Sequence, residues 1–540
     1  MASPITVEPE RLAAAGQTGT TLGVWAELMG DRTAIFAPTG SRSFQELDGN
    51  ANRLARVLRD NSLQAGDSVA IVCSNRAEFV EIVYACLRTG LRYTPVNWHL
   101  TGDEAAYVVR NCGAKALIGE SRFAESMQAA ASTDAVTLRL AIGGDIPGFD
   151  SYADAIRSQS PEAIANPALG NRMLYTSGTT GKPKGVIRPP RYSTGLDAIT
   201  KAPKYVAGSD QLNLCTGPLY HGGPLGLSLT AALAAGVGVV LMPRWDAADA
   251  LRLIAEHRIT HTHMVPTMFH RLLRLPEDVR ASADVSSLQY VLHGAAPCPV
   301  ETKKQMIEWF GPIIWEYFAA TEGAASSISS QQWLSKPGSV GVPADQDRVR
   351  IFDEDGEQCE VGVSGGIYLQ SVGDGAFEYF DDPAKTAANR VGDYSSMGDI
   401  GYLDSDGFLF ITDREAEVIV SGGVNIYPAE IEEAMLAHPG VADVAVIGIP
   451  DDEWGEQVLG VVLVEQGYVG QSEPGVGPDL EADILDFTKG RIAGFKCPRR
   501  LEFSDSLPRY DNGKLYRERL REEFRQRGAS EQPSGQSQNG

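Results

Sequence analysis

The feature that most limits what this chain can fold into is a rapid alternation of short apolar strands with amphipathic helices. Phe44 to Asn61 carries Leu47, Ala51, Leu54 and Leu58 near helical spacing, which predicts a helix with one apolar face. Ser68 to Cys73 then reads as a strand, Glu78 to Thr89 as a helix and Leu91 to Val96 as a strand. Leu100 to Asn111 follows as a helix and Ala114 to Ile118 as a strand. Elements in this order build layered α/β structure on a largely parallel sheet. The pattern resumes with strands at Leu212 to Cys215, Val237 to Met242, His263 to Val265, Tyr290 to Leu292 and Ile313 to Phe318. Helices at Ala247 to His257 and Pro266 to Leu275 lie between them. Several of these strands end in Gly/Ala-rich loops, and open α/β sheets bind ligands at their carboxyl ends.

From Val349 short strands and turns predict a β-rich subdomain. A smaller α+β unit follows Arg414. It has helices at Pro428 to His438 and Leu480 to Arg491, and strands at Val444 to Ile449, Val458 to Val464 and Arg499 to Phe503. The fold class is therefore α/β: a large domain over 1–414 of layered α/β subdomains plus a β-rich subdomain, then a small α+β domain over 415–525. The polar, low-complexity residues 526–540 predict a disordered tail. A chain of 540 residues exceeds what one core supports. Its net charge of −23 argues against broad binding to nucleic acid or anionic membrane.

Seven scattered cysteines with no CxxC pair suggest neither a disulfide framework nor a zinc site, and fit a reducing cytoplasm. MASPITVEPERLAAAG has no basic region followed by an apolar run, so it does not read as a signal peptide. The longest uncharged run, Gly222 to Pro243, is interrupted by Pro224, glycines, Ser228 and Thr230. It reads as a buried helix and strand rather than a transmembrane segment.

Five stretches could carry chemistry. Tyr175 to Gly185 reads YTSGTTGKPKG. Its glycines allow close backbone approach, and its hydroxyls and lysines are what a phosphate chain needs. It lacks the spacing of a Walker A loop, and a polar surface loop has the same composition. His221 sits in a Pro/Gly-framed loop, as a structural histidine or a pocket wall. No G-x-S-x-G elbow accompanies it. Glu322, in TEG after a strand, is either solvated or able to hold Mg²⁺ beside phosphate oxygens. Asp399 in SMGDIG could accept both hydroxyls of a ribose, with Arg414 adding a donor, or the two are a turn aspartate and a surface arginine. Lys514 follows the tight-turn signal Asp511-Asn512-Gly513, as a presented or an ordinary surface lysine.

Taken together, YTSGTTGKPKG, ATEG, GDIGYLDSDG, TDR, SGGVNIYPAEIE and PRYDNGK, in this order, resemble the adenylate-forming superfamily of acyl-CoA synthetases, adenylation domains and beetle luciferases. The likeness runs from about Leu22 to Arg521 and is greatest to fatty acyl-CoA synthetases. It implies an ATP-dependent carboxylic acid–CoA ligase. The acid attacks the α-phosphate of ATP to give acyl-AMP and pyrophosphate, and the thiol of coenzyme A then displaces AMP. The acid expected is a medium- or long-chain fatty acid or a bulky acid such as a steroid side-chain acid.

The resemblance further implies that Thr176, Ser177, Gly178, Thr179, Thr180 and Lys184 cradle the phosphates. Gly294, Ala295 and Ala296 line the adenine pocket and Phe318 stacks nearby. Thr321 contacts the α-phosphate, Glu322 binds Mg²⁺, and Asp399 and Arg414 hold the ribose. Lys514 bridges carboxylate and α-phosphate, His221 marks the junction of acyl and nucleotide sites, and the C-terminal unit rotates between half-reactions. Two residues depart from the family pattern: Ala416 at the hinge, and Phe318-Ala319 where Tyr-Gly is usual.

The acyl pocket is expected from His221 to Leu227, Met264 to Met268, His293 to Ala296 and Phe318 to Ala320, with Gly222, Gly223, Ala319 and Ala320 leaving room. Two competing functions are transfer of the acyl group to a carrier protein and non-catalytic nucleotide or acyl binding. The oligomeric state is open, a homodimer included.

Overall fold

The computed structural model describes residues 5–133, 135–176, 183–189, 204–320, 323–343, 345, 347–371, 376–414, 417–421, 424–451, 454–465, 468, 480–509 and 515–531. The chain packs as two compact units. The first comprises Met1–Ala295, Val300–Val349 and Leu369–Ser395, and the second Ala296–Pro299, Arg350–Tyr368 and Ser396–Gly540.

Two parallel sheets build the first unit. One has the strand order Asp150–Ser151, Leu138–Ile142, Ala114–Glu120, Ser68–Val72, Arg92–Pro95, Asn171–Arg172, parallel throughout. In the other, Thr33–Phe36, Gly238–Leu241, Leu212–Cys215, His261–Met264, Tyr290–His293 and Ile314–Ala320 run parallel. Gly323–Ser329 and Ser339–Pro343 then add antiparallel strands. Ser68–Val72 and Gly238–Leu241 are buried at every residue, as expected of strands covered on both faces. A third, small antiparallel sheet joins Leu174–Thr176, Lys184–Ile187 and Glu378–Tyr379.

Helix Phe44–Asp60 starts where the sequence supplies a capping box. Glu46 N–H donates to Ser43 Oγ at 3.2 Å and Ser43 N–H donates to the Glu46 carboxylate at 2.8 Å, satisfying two otherwise orphaned donors. Helix Ala77–Thr89 ends at Gly90 with φ +74°, where a Cβ would lie 2.8 Å from that of Ala65. Only glycine takes both the left-handed turn and the close approach. The apolar faces of these helices share one core with both sheets, through residues such as Leu54, Phe79, Ile71 and Val239.

The uncharged run at Gly222 to Pro243 divides into a π-helical stretch, Pro224–Thr230, a helical turn, Ala231–Ala234, and the strand Gly238–Leu241. Among the described residues no helix is long and apolar enough to cross a membrane. All seven cysteines are free and five are buried.

In the second unit, strands order as Val349–Phe352, Gly365–Gln370, Tyr394–Leu403, Leu409–Arg414. Because Ser396–Arg414 packs with this group, the compact unit begins earlier in the chain than residue 415. A separate sheet runs Val424–Ile426, Ile419–Ser421, Gly455–Val464, Val441–Asp451, with Arg500–Phe503 beside Gly455–Val464. Its apolar faces are covered by Pro428–Leu436 and Leu480–Lys489 on one side, through Ile431, Met435 and Ile484. Leu520 of helix Arg517–Glu531 covers Ile447 and Val461 on the other. That helix runs past residue 526, where the sequence predicts the tail to begin. Leu520 and Phe524 anchor it to the sheet, and Arg521 and Arg525 pair with Glu518 at 3.6 and 3.4 Å.

Candidate active site

The carboxyl ends of the parallel strands carry the chemistry-bearing residues of the first unit. Asn75, 4 % exposed, fixes the loop after Leu212–Cys215. Its amide donates to Gly217 O and Met242 O, both at 2.9 Å, and accepts from Leu219 N–H at 2.9 Å. The loop then turns at His221, whose N–H donates to Pro218 O at 3.1 Å. The His221 ring is half-buried and lies 4.4 Å from Tyr220, which meets Trp98 edge-on at 4.5 Å. This places His221 on an aromatic wall.

His263 ends the next strand and Tyr317 lies two strands away. The His263 Nε2 and the Tyr317 hydroxyl are hydrogen-bonded at 3.0 Å. Burial lowers the His263 pKa to about 4 and raises that of Tyr317, because an apolar surround penalises the charged form of each. The pair is therefore neutral at physiological pH.

The sequence expects Gly223 to leave space, and the structure corrects this. A Cβ there would lie 2.9 Å from His263 Cε1 and 3.1 Å from the Tyr317 hydroxyl. The glycine is small because two rings already occupy the room. At Gly222 the nearest neighbour, Leu174 Cδ1, would be 3.2 Å away.

On the opposite face of the same strands lie His293, Glu316 and Phe318. Lys303, fully buried, donates to the Glu316 carboxylate at 2.5 Å and stands 4.6 Å from the centroid of Trp333. Burial raises the Glu316 pKa, and Lys303 opposes that rise. His293 is fully buried and its pKa is driven well down, first by burial and then by Lys303 and His263.

The strand after His293 turns at Gly294 and Ala295. Ala295 has φ +69°, a costly conformation for a residue with a Cβ. A Cβ on Gly294 would lie 2.6 Å from both the carbonyl oxygen and Cε1 of Tyr317. Phe318 is 8 % exposed, and the register slips between it and Ala319. The departure Phe318-Ala319 thus falls on a β-bulge, a device that re-aims side chains next to sites.

Thr176 and Lys184 are direct antiparallel partners, in the strands Leu174–Thr176 and Lys184–Ile187. Ser177, Gly178, Thr179 and Thr180 lie outside the described residues, as do Thr321, Glu322, Ala416 and Lys514. Ala296 groups with the second unit.

In the second unit Asp399, buried, stands directly opposite Arg414 in the strand pair. Two ion pairs flank the 510–514 segment. Arg509 donates to both carboxylate oxygens of Asp443 at 2.8 and 2.6 Å, and Arg517 to both of Glu432 at 2.8 and 2.7 Å, while also pairing with Glu417. Trp454 is exposed, with the Arg499 guanidinium 4.9 Å from its ring centroid, and Phe495 is exposed nearby in sequence to that arginine.

The sequence reading missed His263, Tyr317 and Tyr290 on one side of the sheet and Trp454 on the small unit. A signal for the first three was present: alternate polar or aromatic residues within otherwise apolar strands.

A ligand edge on a parallel sheet, together with a separate small α+β unit, is the build of a large nucleotide-using enzyme. Comparison with known proteins makes the class specific. Residues 23–375 match the AMP-binding enzyme model and residues 430–514 match the AMP-binding enzyme C-terminal domain. The chain belongs to this adenylate-forming family, whose CoA ligases use ATP, Mg²⁺ and CoA.

Similar proteins include an indoleacetate–CoA ligase of Aromatoleum aromaticum, 32% identical over 91% of this chain and 95% of that one. A fatty acid–[acyl-carrier-protein] ligase, ScoC, of Streptomyces coeruleorubidus is 30% identical over 91% and 93%. The ATP-bound structure of MatB from Rhodopseudomonas palustris is 28% identical, covers 94% of this chain and 99% of its own, and superposes with a TM-score of 0.79.

Proposed function

We propose that the protein joins a carboxylic acid to coenzyme A in two half-reactions, by way of an acyl adenylate. The observation that carries this reading is the convergence of Gly294, strained Ala295 and Phe318 at neighbouring strand ends, where a Cβ on Gly294 would meet the Tyr317 backbone. In the first half-reaction one carboxylate oxygen attacks the α-phosphorus, and the bond to the pyrophosphate oxygen breaks. Thr176, Ser177, Gly178, Thr179, Thr180 and Lys184 hold the β- and γ-phosphates and stabilise the leaving pyrophosphate. Gly294, Ala295, Ala296 and Phe318 receive the adenine, while Asp399 and Arg414 hold the ribose hydroxyls. Thr321 orients the α-phosphate, and Lys514 offsets the charge building between carboxylate and phosphorus.

Glu322 is the protein ligand for Mg²⁺. One glutamate suffices, since this ion binds through one or two carboxylates plus phosphates and keeps several waters. When bound, Mg²⁺ neutralises phosphate charge. His221 closes the acyl side of the junction. In the second half-reaction the CoA sulfur attacks the acyl carbon and AMP leaves. The exposed Trp454, with Arg499 against it, offers a stacking face and a cation for the purine and phosphate of CoA. The acid has a largely apolar body, because relatives act on indoleacetate and on fatty acids and aromatic rings dominate the acyl side.

The test is pyrophosphate release. It requires acid, ATP and Mg²⁺ together, and acyl-CoA and AMP follow on adding CoA. Lys514→Ala abolishes adenylate formation and spares thioester formation from supplied acyl-AMP. Equal loss of both halves contradicts the assignment of Lys514. The similarity to ScoC favours one second reading, a carrier-protein thiol as acceptor. Competition between CoA and a phosphopantetheinylated carrier decides between the two.

A further inference from the structure

The strand Ser68–Val72 lies where its sheet changes direction. The next strand, Arg92–Pro95, pairs on one side of it and the one after, Ala114–Glu120, on the other. The carboxyl ends at such a switch point usually form a ligand crevice. Here the chain's own polar groups fill them. Ser74 donates to the Glu120 carboxylate through its hydroxyl at 2.7 Å and through its N–H at 3.3 Å. Arg76 pairs with Glu120 at 3.2 Å and with both carboxylate oxygens of Glu78 at 2.9 and 3.0 Å. Ser74, Arg76 and Glu120 are each no more than 8 % exposed. Removing one member of such a set strands a buried charge, so the set holds a single arrangement.

Asn75 stands between the two residues held this way, and its side chain reaches across to the other sheet. The Nδ2 group donates to Gly217 O, beyond Leu212–Cys215, and to Met242 O, beyond Gly238–Leu241, both at 2.9 Å. Oδ1 accepts from Leu219 N–H at 2.9 Å. All three backbone groups lie outside the strand ladders, and the amide supplies the partners that a ladder would otherwise give. The loop is held again further on. The Thr216 hydroxyl donates to His263 O, His221 N–H donates to Pro218 O at 3.1 Å, and Leu225 N–H donates to His221 O at 3.1 Å. Only Tyr220 separates Leu219 from His221.

We infer that Asn75, braced from behind by Glu120, is a positioning residue that sets the loop presenting His221 at the junction of the acyl and nucleotide sites. The inference rests on the ligase reading above and adds to it a residue from the sheet that carries none of the residues assigned to ATP. Its effect passes through His221. On the same reading, ATP is held by the turn at Gly294, by Phe318 and by Thr176 and Lys184, none of which lies on this loop. Loosening the loop therefore slows turnover at saturating substrate and leaves the affinity for ATP alone.

A double-mutant cycle of Asn75→Ala and His221→Ala tests this, read as kcat for pyrophosphate release well below the unfolding temperature of each variant. The acid is whichever of indole-3-acetate, benzoate and octanoate the wild type uses fastest. Asn75→Ala is expected to lower kcat by up to about a hundredfold with KM for ATP unchanged. The double variant is expected to equal His221→Ala, because two residues acting through one loop are not additive. Arg88→Met breaks a buried ion pair with Asp48, 2.8 Å long, elsewhere in the same unit. It lowers stability and keeps kcat, which separates positioning from general weakening. Should Asn75→Ala fail to fold, Asn75→Asp carries the cycle: it keeps the size and the acceptor for Leu219 and loses both donors. Losses that multiply in the double variant overturn the proposal and leave the ligase reading standing. So do a KM for ATP that rises as kcat falls, an Asn75 variant as fast as the wild type, and a His221→Ala variant faster than Asn75→Ala. Wild-type protein that releases no pyrophosphate with any of the three acids overturns the ligase reading, and the proposal with it.

Discussion

His263 allows a stability prediction with its size worked from the structure. The imidazole is 4 % exposed, and burial lowers its pKa from the ordinary 6.5 to about 4. When the pH falls, the unfolded chain takes up this proton first, near pH 6.5, and the folded chain only near pH 4. The stabilisation is therefore fully present above about pH 6.5 and is lost as the pH falls towards 4. Between pH 7.5 and 5.0 the loss from this one group is about 2 kcal/mol. His293, shifted in the same direction, adds to it. His263→Gln keeps a hydrogen-bonding partner for Tyr317 but does not titrate. The variant is less stable at neutral pH, yet its decline on acidification is shallower than that of the wild type by this amount. A first unit of roughly 370 residues has an unfolding entropy near 0.8 kcal/mol/K, so the difference reads as about 2.5 °C in calorimetry. Groups that titrate in both proteins cancel. Parallel curves for wild type and variant between pH 7.5 and 5.0 refute the argument, and with it the view that the pair is held neutral by its surroundings.

Three further outcomes follow from buried contacts. Lys303→Met leaves Glu316 without its cation and lowers stability by about 3–5 kcal/mol, whereas Lys303→Met with Glu316→Gln regains most of the loss; chemical unfolding of the single and double variants separates the two. Gly294→Ala forces a methyl against the Tyr317 carbonyl, at a cost of about 1–3 kcal/mol, and raises KM for ATP more than KM for the acid; Tyr317→Phe gives no relief because the clash is with backbone and a ring carbon. Arg517→Met strands Glu432 and Glu417 and destabilises the second unit by about 3–5 kcal/mol, seen as earlier proteolytic release of the C-terminal segment.

How much of this was legible in the sequence depends on whether the information is local. Helix Ala247–His257 appears where its apolar spacing places it, and Pro266 starts the next helix as its fixed φ predicts. The small unit's helices and strands are found within a few residues of their expected bounds because each stands as one periodic run. Strand order is not local. Leu212–Cys215 lies between Gly238–Leu241 and His261–Met264, and nothing in a linear reading brings Asn213, His261, Tyr290 and Trp315 into one layer. Glycine misleads for a related reason: a missing side chain is equally consistent with space for a ligand and with space already filled, and at Gly223 it is filled. Arg517 is one of several arginines in a polar helix, and only the fold shows that two carboxylates depend on it.

One strand links these observations. In Ile314–Ala320 the side chains alternate, so Tyr317 faces His263 and Leu227 while Glu316 and Phe318 face the other way. On the proposed reading this strand separates acid from nucleotide. Substitution at 315 or 317 should then change which acids are accepted, and substitution at 318 should change the affinity for ATP. The two functions stay separable only while the register holds. Gly294 packs against Tyr317, and the bulge follows directly after Phe318. A change in side-chain volume at 317 therefore reaches the adenine turn through Gly294 rather than through any ligand.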